Sequence, residues 1–295
     1  MKDSVYVLIL NYQSYKDTIE YVENLQKQRN IKLNILIVDN CSPNNSYAIL
    51  KNTFAHANNI EVIKTERNGG YAYGNNYGLW YLKDKRSDYI LISNNDIHID
   101  DNMLLFKLMN TYKLLENPAF ASPIMTVNGN PSKNSAWKMT TLKDDIVGSL
   151  RMLEGVFKSR RNYNFTTNND YLEVDCLSGS FFLGKKNIFY DIGLFDENTF
   201  LYMEEEIIAK KVKEISLRNY LVTSMHYEHI TAQTITYELD LFKMRHHLIN
   251  SRIYFHENYL LTNKAGIFIL KLLYEVWKIE TFLYLKLKHL FSRLA

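Results

Sequence analysis

Short apolar runs alternate with amphipathic stretches along most of the chain, and this alternation limits the folds that the sequence can adopt. Residues 5–10 and 33–38 are apolar and partly β-branched, which is typical of buried strands, and residues 17–28 between them have apolar side chains at helical spacing. The alternation continues in further predicted strands and helices: strands at residues 60–64, 89–92, 177–183 and 220–225, and helices at residues 75–83 and 203–217. It predicts an α/β fold in which helices cover both faces of a mostly parallel sheet.

The composition is that of a folded chain, and it excludes several classes of protein. The chain has 295 residues, of which 46% are hydrophobic and 23% charged, so it can bury a sizeable core. A formal charge of +3 gives no reason to expect a nucleic-acid partner. Two cysteines, Cys41 and Cys176, are too few for a disulfide scaffold, and residues 5–10 are too short for the core of a signal peptide. These features predict a cytoplasmic, reducing location.

Polar side chains follow three of the predicted strands at the point where each strand ends. Asn11 follows the first strand, Asp39 the second, and Asn94, Asn95 and Asp96 the fourth. In sheets of this kind, ligands bind at the carboxyl ends of the strands. The Asp39 carboxylate suits a nucleotide base or a ribose hydroxyl, and Asp96 suits a divalent metal that holds a diphosphate. Taken singly, each acid fits a helix cap or a turn equally well.

Residues 68–78 form a glycine-rich segment that leads into a predicted helix. Glycines let the backbone approach a ligand, and the start of a helix favours an anion. The spacing is neither that of a Walker loop nor that of a dinucleotide-binding loop. An ordinary turn is the alternative interpretation of this segment.

Three consecutive acids, Glu204, Glu205 and Glu206, stand at the predicted start of a helix, after several aromatic residues. Acids are common at this position because the helix dipole stabilises negative charge. Shielding from water would also make such a carboxylate an effective general base. Further along, His226 and His229 offer imidazole nitrogens to a metal, although histidine pairs are more often surface or core residues.

Taken in order, the motifs of residues 5–231 resemble those of the family-2 glycosyltransferases with the GT-A fold, in particular the bacterial rhamnosyltransferase-like branch. The most specific correspondence lies in the glycine-rich segment: Asn68, Gly70, Tyr71, Ala72, Gly74, Asn75 and Gly78. Asn94, Asn95 and Asp96 resemble a reduced form of the family's metal-binding motif, and residues 193–205 resemble its acceptor-side motif.

The resemblance implies a role for each of these residues. It implies a nucleotide-sugar site formed by Asn11, Asp39, Asn68, Gly70, Asn75, Asn94 and Asn95. It implies that Asp96 and His226 bind Mn²⁺ or Mg²⁺, with His229 as the competing histidine. It implies that Glu205 is the catalytic base, with Glu204 as the alternative, although relatives usually have Asp at this position.

The implied function is that of an inverting, metal-dependent glycosyltransferase. A sugar from a nucleotide-diphosphate donor, dTDP-rhamnose or a UDP-sugar, would pass to a hydroxyl of a lipid-linked glycan in bacterial surface polysaccharide synthesis. One alternative is a sugar-nucleotidyltransferase, but no basic phosphate loop occurs between residues 10 and 28. The other is a non-catalytic sugar-nucleotide-binding or scaffold protein, and the joint presence of Asp96, Glu205 and His226 argues against it.

The chain is expected to divide into a GT-A domain at residues 1–240 and a helical region at residues 241–295. Charged residues interrupt residues 265–290, so we expect no bilayer span there. The amphipathic helix at residues 265–295 predicts internal packing, a homodimer interface, or contact with the inner face of a bacterial membrane. A polar, irregular stretch at residues 128–169 predicts a flexible excursion that could act as a lid.

Overall fold

The structure is a computed structural model that describes residues 3–149, 161–165, 169–230 and 237–292. The strands are β1 Ser4–Asn11, β2 Lys32–Asp39, β3 Ile60–Lys64, β4 Tyr89–Ser93, β5 Ile97–His98, β6 Pro118–Val127, β7 Asn130–Pro131, β8 Ala136–Trp137, β9 Tyr171–Val174, β10 Cys176–Leu177, β11 Phe181–Lys185 and β12 Arg218–His229. The helices are α1 Tyr15–Leu25, α2 Ser46–Thr53, α3 Gly70–Leu82, α4 Leu104–Leu114, α5 Leu142–Ser149, α6 Lys186–Asp191, α7 Glu204–Glu214, α8 Tyr237–Asn258 and α9 Lys264–Ser292.

The main sheet has the strand order β3-β2-β1-β4-β11-β6-β12-β5. Its first four strands are parallel, β11 is antiparallel to both β4 and β6, and β12 is parallel to β6 and antiparallel to β5. The parallel register sets Asn11 beside Asp39 and Ile9 beside Ser93, so the polar ends of β1, β2 and β4 meet at one edge. The predicted mostly parallel sheet flanked by helices is confirmed.

The alternation of side chains along the strands arises because each face of the sheet has its own core. In β1, Val5, Val7 and Ile9 belong to the core that includes residues of α1 and α4, whereas Tyr6 and Leu8 belong to the core that includes residues of α3, α6 and α7. Successive side chains of a strand point to opposite faces, so an all-apolar strand such as β1 is covered on both sides.

Two predicted boundaries differ from the structure at segments that contain glycine. Helix α3 begins at Gly70 rather than at residue 75, so most of the glycine-rich segment forms the first turns of a helix. Residues 177–183 are not one strand, because β10 ends at Leu177 and β11 begins only at Phe181. Gly179 lies in this break, where a Cβ would come 2.9 Å from a carboxylate oxygen of Glu205.

The two long C-terminal helices pack against the rest of the chain. Phe255 of α8 lies in a cluster with Met203 and Ile207, and Gly266 of α9 lies so close to Leu142 of α5 that a Cβ would come 2.7 Å from its side chain. Among the residues that the structure describes, no helix is long and apolar enough to cross a membrane. Residues 150–160 and 166–168 of the predicted excursion lie outside the described residues.

Candidate active site

The ends of β1 and β2 form a buried polar network around Asp39. Its Oδ2 accepts hydrogen bonds from Nδ2 of Asn11 at 2.8 Å and from Oγ of Ser42 at 2.7 Å, and its Oδ1 accepts one from the Ser42 N–H at 2.9 Å. Asn11 in turn accepts a hydrogen bond from Oγ1 of Thr18 at 2.8 Å. The structure therefore brings Asn11 and Asp39 together and holds the Asp39 carboxylate in one orientation.

Asn68 and Gly70 form a tight contact between two loops. Oδ1 of Asn68 accepts hydrogen bonds from Nδ2 of Asn40 and from the Gly70 N–H, both at 3.1 Å. Gly70 has a φ of +87°, and a Cβ there would lie 2.0 Å from the backbone oxygen of Phe200. Glycine alone allows this approach, which holds the loop before α3 against the loop before α7.

A chain of hydrogen bonds leads from α3 to the predicted base. Nδ2 of the buried Asn75 donates to the Tyr71 carbonyl at 3.0 Å, and Oδ1 of Asn75 has no hydrogen-bond partner among the described residues. The Tyr71 hydroxyl donates to the Gly179 carbonyl at 2.6 Å, and the Gly179 N–H donates to Oε1 of Glu205 at 3.2 Å. The glycine-rich segment and the acidic segment are therefore directly connected.

Asn94 and Asn95 follow β4 but have different surroundings. Nδ2 of Asn95 donates to Oγ of Ser14 at 2.7 Å and to Oγ1 of Thr18 at 2.8 Å, which joins the end of β4 to α1. The Asn94 N–H donates to the Ser180 carbonyl at 2.9 Å. Asn94 also lines a cavity of about 740 Å³. Asn94 is therefore accessible to a ligand, whereas the Asn95 amide already has partners.

His229, and not His226, lies next to Asp96. Its Nε2 is 3.4 Å from Oδ1 of Asp96, because His229 pairs in register with Ile97 across β12 and β5. His226 is exposed. A register shift in β12 just before His226 changes which of the two histidines reaches the site. The placement therefore does not support the predicted metal-ligand role of His226.

The pair of Asp96 and His229 fits a divalent metal. Burial raises the pKa of the Asp96 carboxyl, and its Oδ1 is buried without a hydrogen-bond partner in the described ranges. Across those ranges no group of three or more His, Cys, Asp or Glu residues is gathered as a metal site. One carboxylate and one imidazole suffice for Mg²⁺ or Mn²⁺ when phosphate oxygens and water complete the coordination.

Glu204 and Glu205 begin α7 directly after an unusual turn. Tyr202 and Met203 both have left-handed backbone conformations, with φ values of 73° and 71°. In residues with side chains, such conformations cost about 1–3 kcal/mol each and persist where the surrounding structure enforces them. The turn sets the direction in which α7 starts and hence the position of its first carboxylates.

Glu206, the third acid of the segment, has a structural role. It is buried, and its Oε1 accepts hydrogen bonds from Nε1 of Trp137 at 3.0 Å and from Nη2 of Arg161 at 2.7 Å. These partners join α7 to β8 and to the segment at residues 161–165. The acids that can act on a ligand are therefore Glu204 and Glu205.

Burial raises the pKa of both remaining carboxyls. It is the main reason why the pKa of Glu204 is about 8, and the charge of Glu205 adds to the shift. The pKa of Glu205 is raised to about 7, mainly by burial and then by the charge of Glu206. Phe182 and Phe195 contribute to the apolar lining of a cavity of about 20 Å³ next to both acids. Glu205 therefore changes its charge near neutral pH.

A cavity of about 740 Å³ connects the acidic segment with the ends of β4 and β12. Asn94 and His229 contribute to its lining together with Glu204 and Glu205. Its size is in the range of small-molecule sites. Of the predicted residues, those at the ends of β1 and β2 belong instead to the separate network around Asp39.

Several residues of the site carry no recognisable motif in the sequence. Only Gly179 could have been found from the sequence, because a glycine inside a predicted strand indicates a break or a close backbone approach. Arg245 and Arg252 line the large cavity from α8, beyond the predicted end of the GT-A domain. No pattern in the sequence connects them with the acids, because packing between distant segments places them there.

The family model for glycosyl transferase family 2 matches residues 6–193, which is more than half of the chain. The chain belongs to this family. One relative is the low-salt glycan biosynthesis hexosyltransferase Agl10 of Haloferax volcanii, with 28% identity over 70% of this chain and 60% of that enzyme, less than two thirds of its length. Another is the rhamnosyltransferase WbbL of Escherichia coli, with 26% identity over 76% of this chain and 83% of that enzyme.

Solved structures share the fold of this family-2 chain. The mannosyltransferase PcManGT of Pyrobaculum calidifontis, solved with GDP-Man and Mn²⁺, has a TM-score of 0.59 at 12% identity and covers 99% of this chain and 81% of that one. TarS of S. aureus, solved with UDP-GlcNAc, has a TM-score of 0.53 at 18% identity and covers 92% of this chain and 70% of that one. The GT-A fold predicted from the motifs is confirmed.

Proposed function

We propose that this chain is an inverting glycosyltransferase that transfers a sugar from a nucleotide-diphosphate donor to a hydroxyl of an acceptor. One observation carries the proposal: Glu205, with a pKa of about 7, shares the large cavity with Asn94 and His229. A half-buried base that lies on the cavity beside the proposed donor-binding edge suits sugar transfer to a hydroxyl.

The donor would bind at the carboxyl edge of the sheet. Asn11 and Asp39 would position the nucleotide base. The loop with Asn68 and Gly70 would lie beside this base, because Nδ2 of Asn40, the residue after Asp39, donates to Asn68 and to the Gly70 carbonyl. The solved structures with UDP-GlcNAc and with GDP-Man support a nucleotide-sugar donor. For this chain, dTDP-rhamnose or a UDP-sugar remains the proposed donor, and the similarity to WbbL favours rhamnose.

Asp96 and His229 would hold Mn²⁺ or Mg²⁺ next to the donor diphosphate. A bound divalent cation would neutralise charge on the leaving diphosphate. His229 replaces His226 in this role because it is the histidine within 3.4 Å of Asp96.

Glu205 would act as the general base. The acceptor oxygen forms a bond to the anomeric carbon, the bond from that carbon to the diphosphate oxygen breaks, and the hydroxyl proton passes to Glu205. Attack from the face opposite the leaving group inverts the configuration. Glu205 suits this role better than Glu204, because its lower pKa leaves more of it ionised at neutral pH and the Gly179 N–H orients it.

Substitution of the base is the direct test. Glu205→Gln keeps the shape of the side chain but cannot take up the proton, so we expect kcat for transfer to fall about 10²–10⁴-fold. The measurement is release of nucleotide diphosphate and formation of glycosylated acceptor. Glu214→Gln, at the exposed end of the same helix, is the matched control and should keep the parent rate. Transfer by Glu205→Gln at the parent rate would exclude this residue as the base.

The acceptor is proposed to be a lipid-linked glycan that is presented at an anionic membrane surface. Helix α9 exposes a row of apolar side chains, formed by Phe268, Leu272, Ile279 and Phe282, on the side away from the buried Leu270 and Trp277. Residues 264–295 contain six Lys or Arg against two Glu, which complements anionic lipid headgroups. We propose that this row contacts the membrane.

A further inference from the structure

Arg252 of α8 is a buried cation at the wall of the large cavity. The residue is 7% exposed, and its Nε lies 2.9 Å from Oδ1 of Asp145. Its Nη1 is buried and has no hydrogen-bond partner in the part of the chain that the structure describes. A guanidinium N–H without an acceptor costs free energy, so this atom beside a cavity indicates a ligand that supplies an acceptor.

The surroundings of Arg252 contain further positive charge. Arg245, also on α8, and Lys133, which is exposed, line the same cavity. The guanidinium carbon of Arg245 lies 5.0 Å from the centre of the Trp277 ring, a contact that holds this side chain in place. Asp145 pairs with Arg252, and Glu204, Glu205 and Glu206 also line the cavity. The two guanidinium groups that α8 places on the cavity are suited to an anion.

We propose that Arg252, together with Arg245, binds a phosphate or diphosphate group of the acceptor. The proposal rests on the proposed function, because it assumes that the cavity beside Glu205 receives the acceptor. Guanidinium groups form charge-assisted hydrogen bonds to phosphate oxygens, and a doubly charged phosphate matches several cations better than a singly charged carboxylate does.

The diphosphate of the donor has a different place in the proposed site. Asp96 and His229 lie next to each other at the ends of β4 and β12, whereas Arg252 belongs to α8 and pairs with Asp145 of α5. His229 and Arg252 line the same cavity. Because the donor diphosphate is already assigned to the cation at Asp96 and His229, we assign the phosphate at Arg252 to the acceptor.

Calorimetric titration of the full chain with inorganic phosphate, in the presence of EDTA, tests the site without a metal. The parent should bind phosphate saturably, and Arg252→Gln should bind it at least about tenfold more weakly, since a charge-assisted hydrogen bond is lost. Arg252→Lys keeps a cation beside Asp145 and so protects the fold, and it should also bind more weakly. Arg218→Gln removes a half-buried arginine at the start of β12, which is not among the residues that line the cavity, and should bind like the parent.

Further titrations identify the source of the phosphate. Phosphate binding that persists with saturating UDP and Mn²⁺ supports an acceptor site, whereas its loss would assign Arg252 to the donor and overturn the proposal. Glucose 1-phosphate should bind more tightly than glucose or glucuronate, and equal binding of glucuronate would contradict a phosphate site. The absence of saturable phosphate binding to the parent, or unchanged binding by Arg252→Lys, would also overturn it.

The proposed function has a separate readout. UDP binding in the presence of Mn²⁺ on the same preparation reports the proposed donor site, to which neither Arg252 nor Arg245 is assigned. Normal UDP binding without phosphate binding would reject the phosphate site alone. Failure of UDP binding and of donor hydrolysis would count against the proposed function instead.

Discussion

Gly179 shows how a residue without a side chain can set the geometry of a reactive group. Its carbonyl accepts a hydrogen bond from the Tyr71 hydroxyl, and its N–H donates to Oε1 of Glu205. A Cβ at this position would lie 2.9 Å from that oxygen and 3.3 Å from the Tyr71 hydroxyl. Both the missing side chain and the N–H therefore act on the proposed base.

The substitution Gly179→Ala should displace the Glu205 carboxylate. We expect kcat to fall by about 10²-fold, since small misplacements of a reacting group have effects of this size. In the parent, Glu205 must be ionised to act, so activity should be lost as the pH falls through about 7. The Gly179 N–H lowers the pKa of Glu205, so weakening this bond should move the midpoint of the pH profile upward.

The pH profile separates positioning from a general loss of structure. A variant that only unfolds in part would lose activity at all pH values and keep the midpoint of the parent. An unchanged midpoint together with unchanged kcat would show that Gly179 does not position Glu205. The KM for the donor should stay near the parent value, since Gly179 bonds to the base.

At the scale of elements, α9 has two faces with different surroundings. Ile267, Leu270 and Trp277 are buried within the chain, whereas Phe268 and Phe282 are 67% and 61% exposed. Each large apolar side chain contributes about 1.5–3 kcal/mol when it leaves water completely. An exposed row of this kind is large enough to support binding to a surface.

Replacing Phe268, Leu272, Ile279 and Phe282 by Ser in the full chain should abolish flotation with anionic vesicles. The parent should float with anionic vesicles and less well with neutral ones, because both apolar burial and positive charge contribute. Leu114→Ser changes a leucine on α4 that is even more exposed than the row and is the control. A parent that does not float, but forms a dimer that the fourfold variant loses, would identify the row as a homodimer interface.

At the scale of the whole molecule, the proposed donor site joins segments that are far apart in the chain. Asp39 ends β2, Asp96 follows β4, and His229 ends β12 more than one hundred residues later. A ligand that bridges such segments stabilises the folded state as a whole by mass action, by about 2.7 kcal/mol at one hundred times its Kd.

UDP or dTDP together with Mn²⁺ should therefore raise the Tm of the parent. Asp96→Asn and His229→Ala should lose most of this increase, and EDTA should remove it in the parent. His226→Ala is the matched control, because His226 is exposed and His229 is the histidine beside Asp96. If the increase in Tm persists in His229→Ala but is lost in His226→Ala, the metal-ligand role belongs to His226, as the resemblance to the family implied.

Much of the fold follows from local patterns in the sequence. The alternating strands and helices, the polar ends of β1, β2 and β4, and the acids at the start of α7 depend on side-chain periodicity over a few residues. Parallel strands align their carboxyl ends, so the proximity of Asn11 and Asp39 could be predicted from the sequence alone. The proposed division at residue 240 stays a prediction, and Phe255 of the later part packs against Ile207 of the earlier part.

What the sequence alone determined is the strands β1 to β4, the helices α1, α3 and α7, and the residue types at the strand ends, because each depends on neighbours along the chain. Strand β6 and helix α4 lie outside the predicted elements. The tertiary structure decided which histidine meets Asp96, since the register shift in β12 and its pairing with β5 bring in His229. It also decided the contacts of Gly179 with Glu205 and of Arg252 with Asp145. Such contacts join residues that are distant in sequence, so they depend on packing and register, which no local pattern encodes.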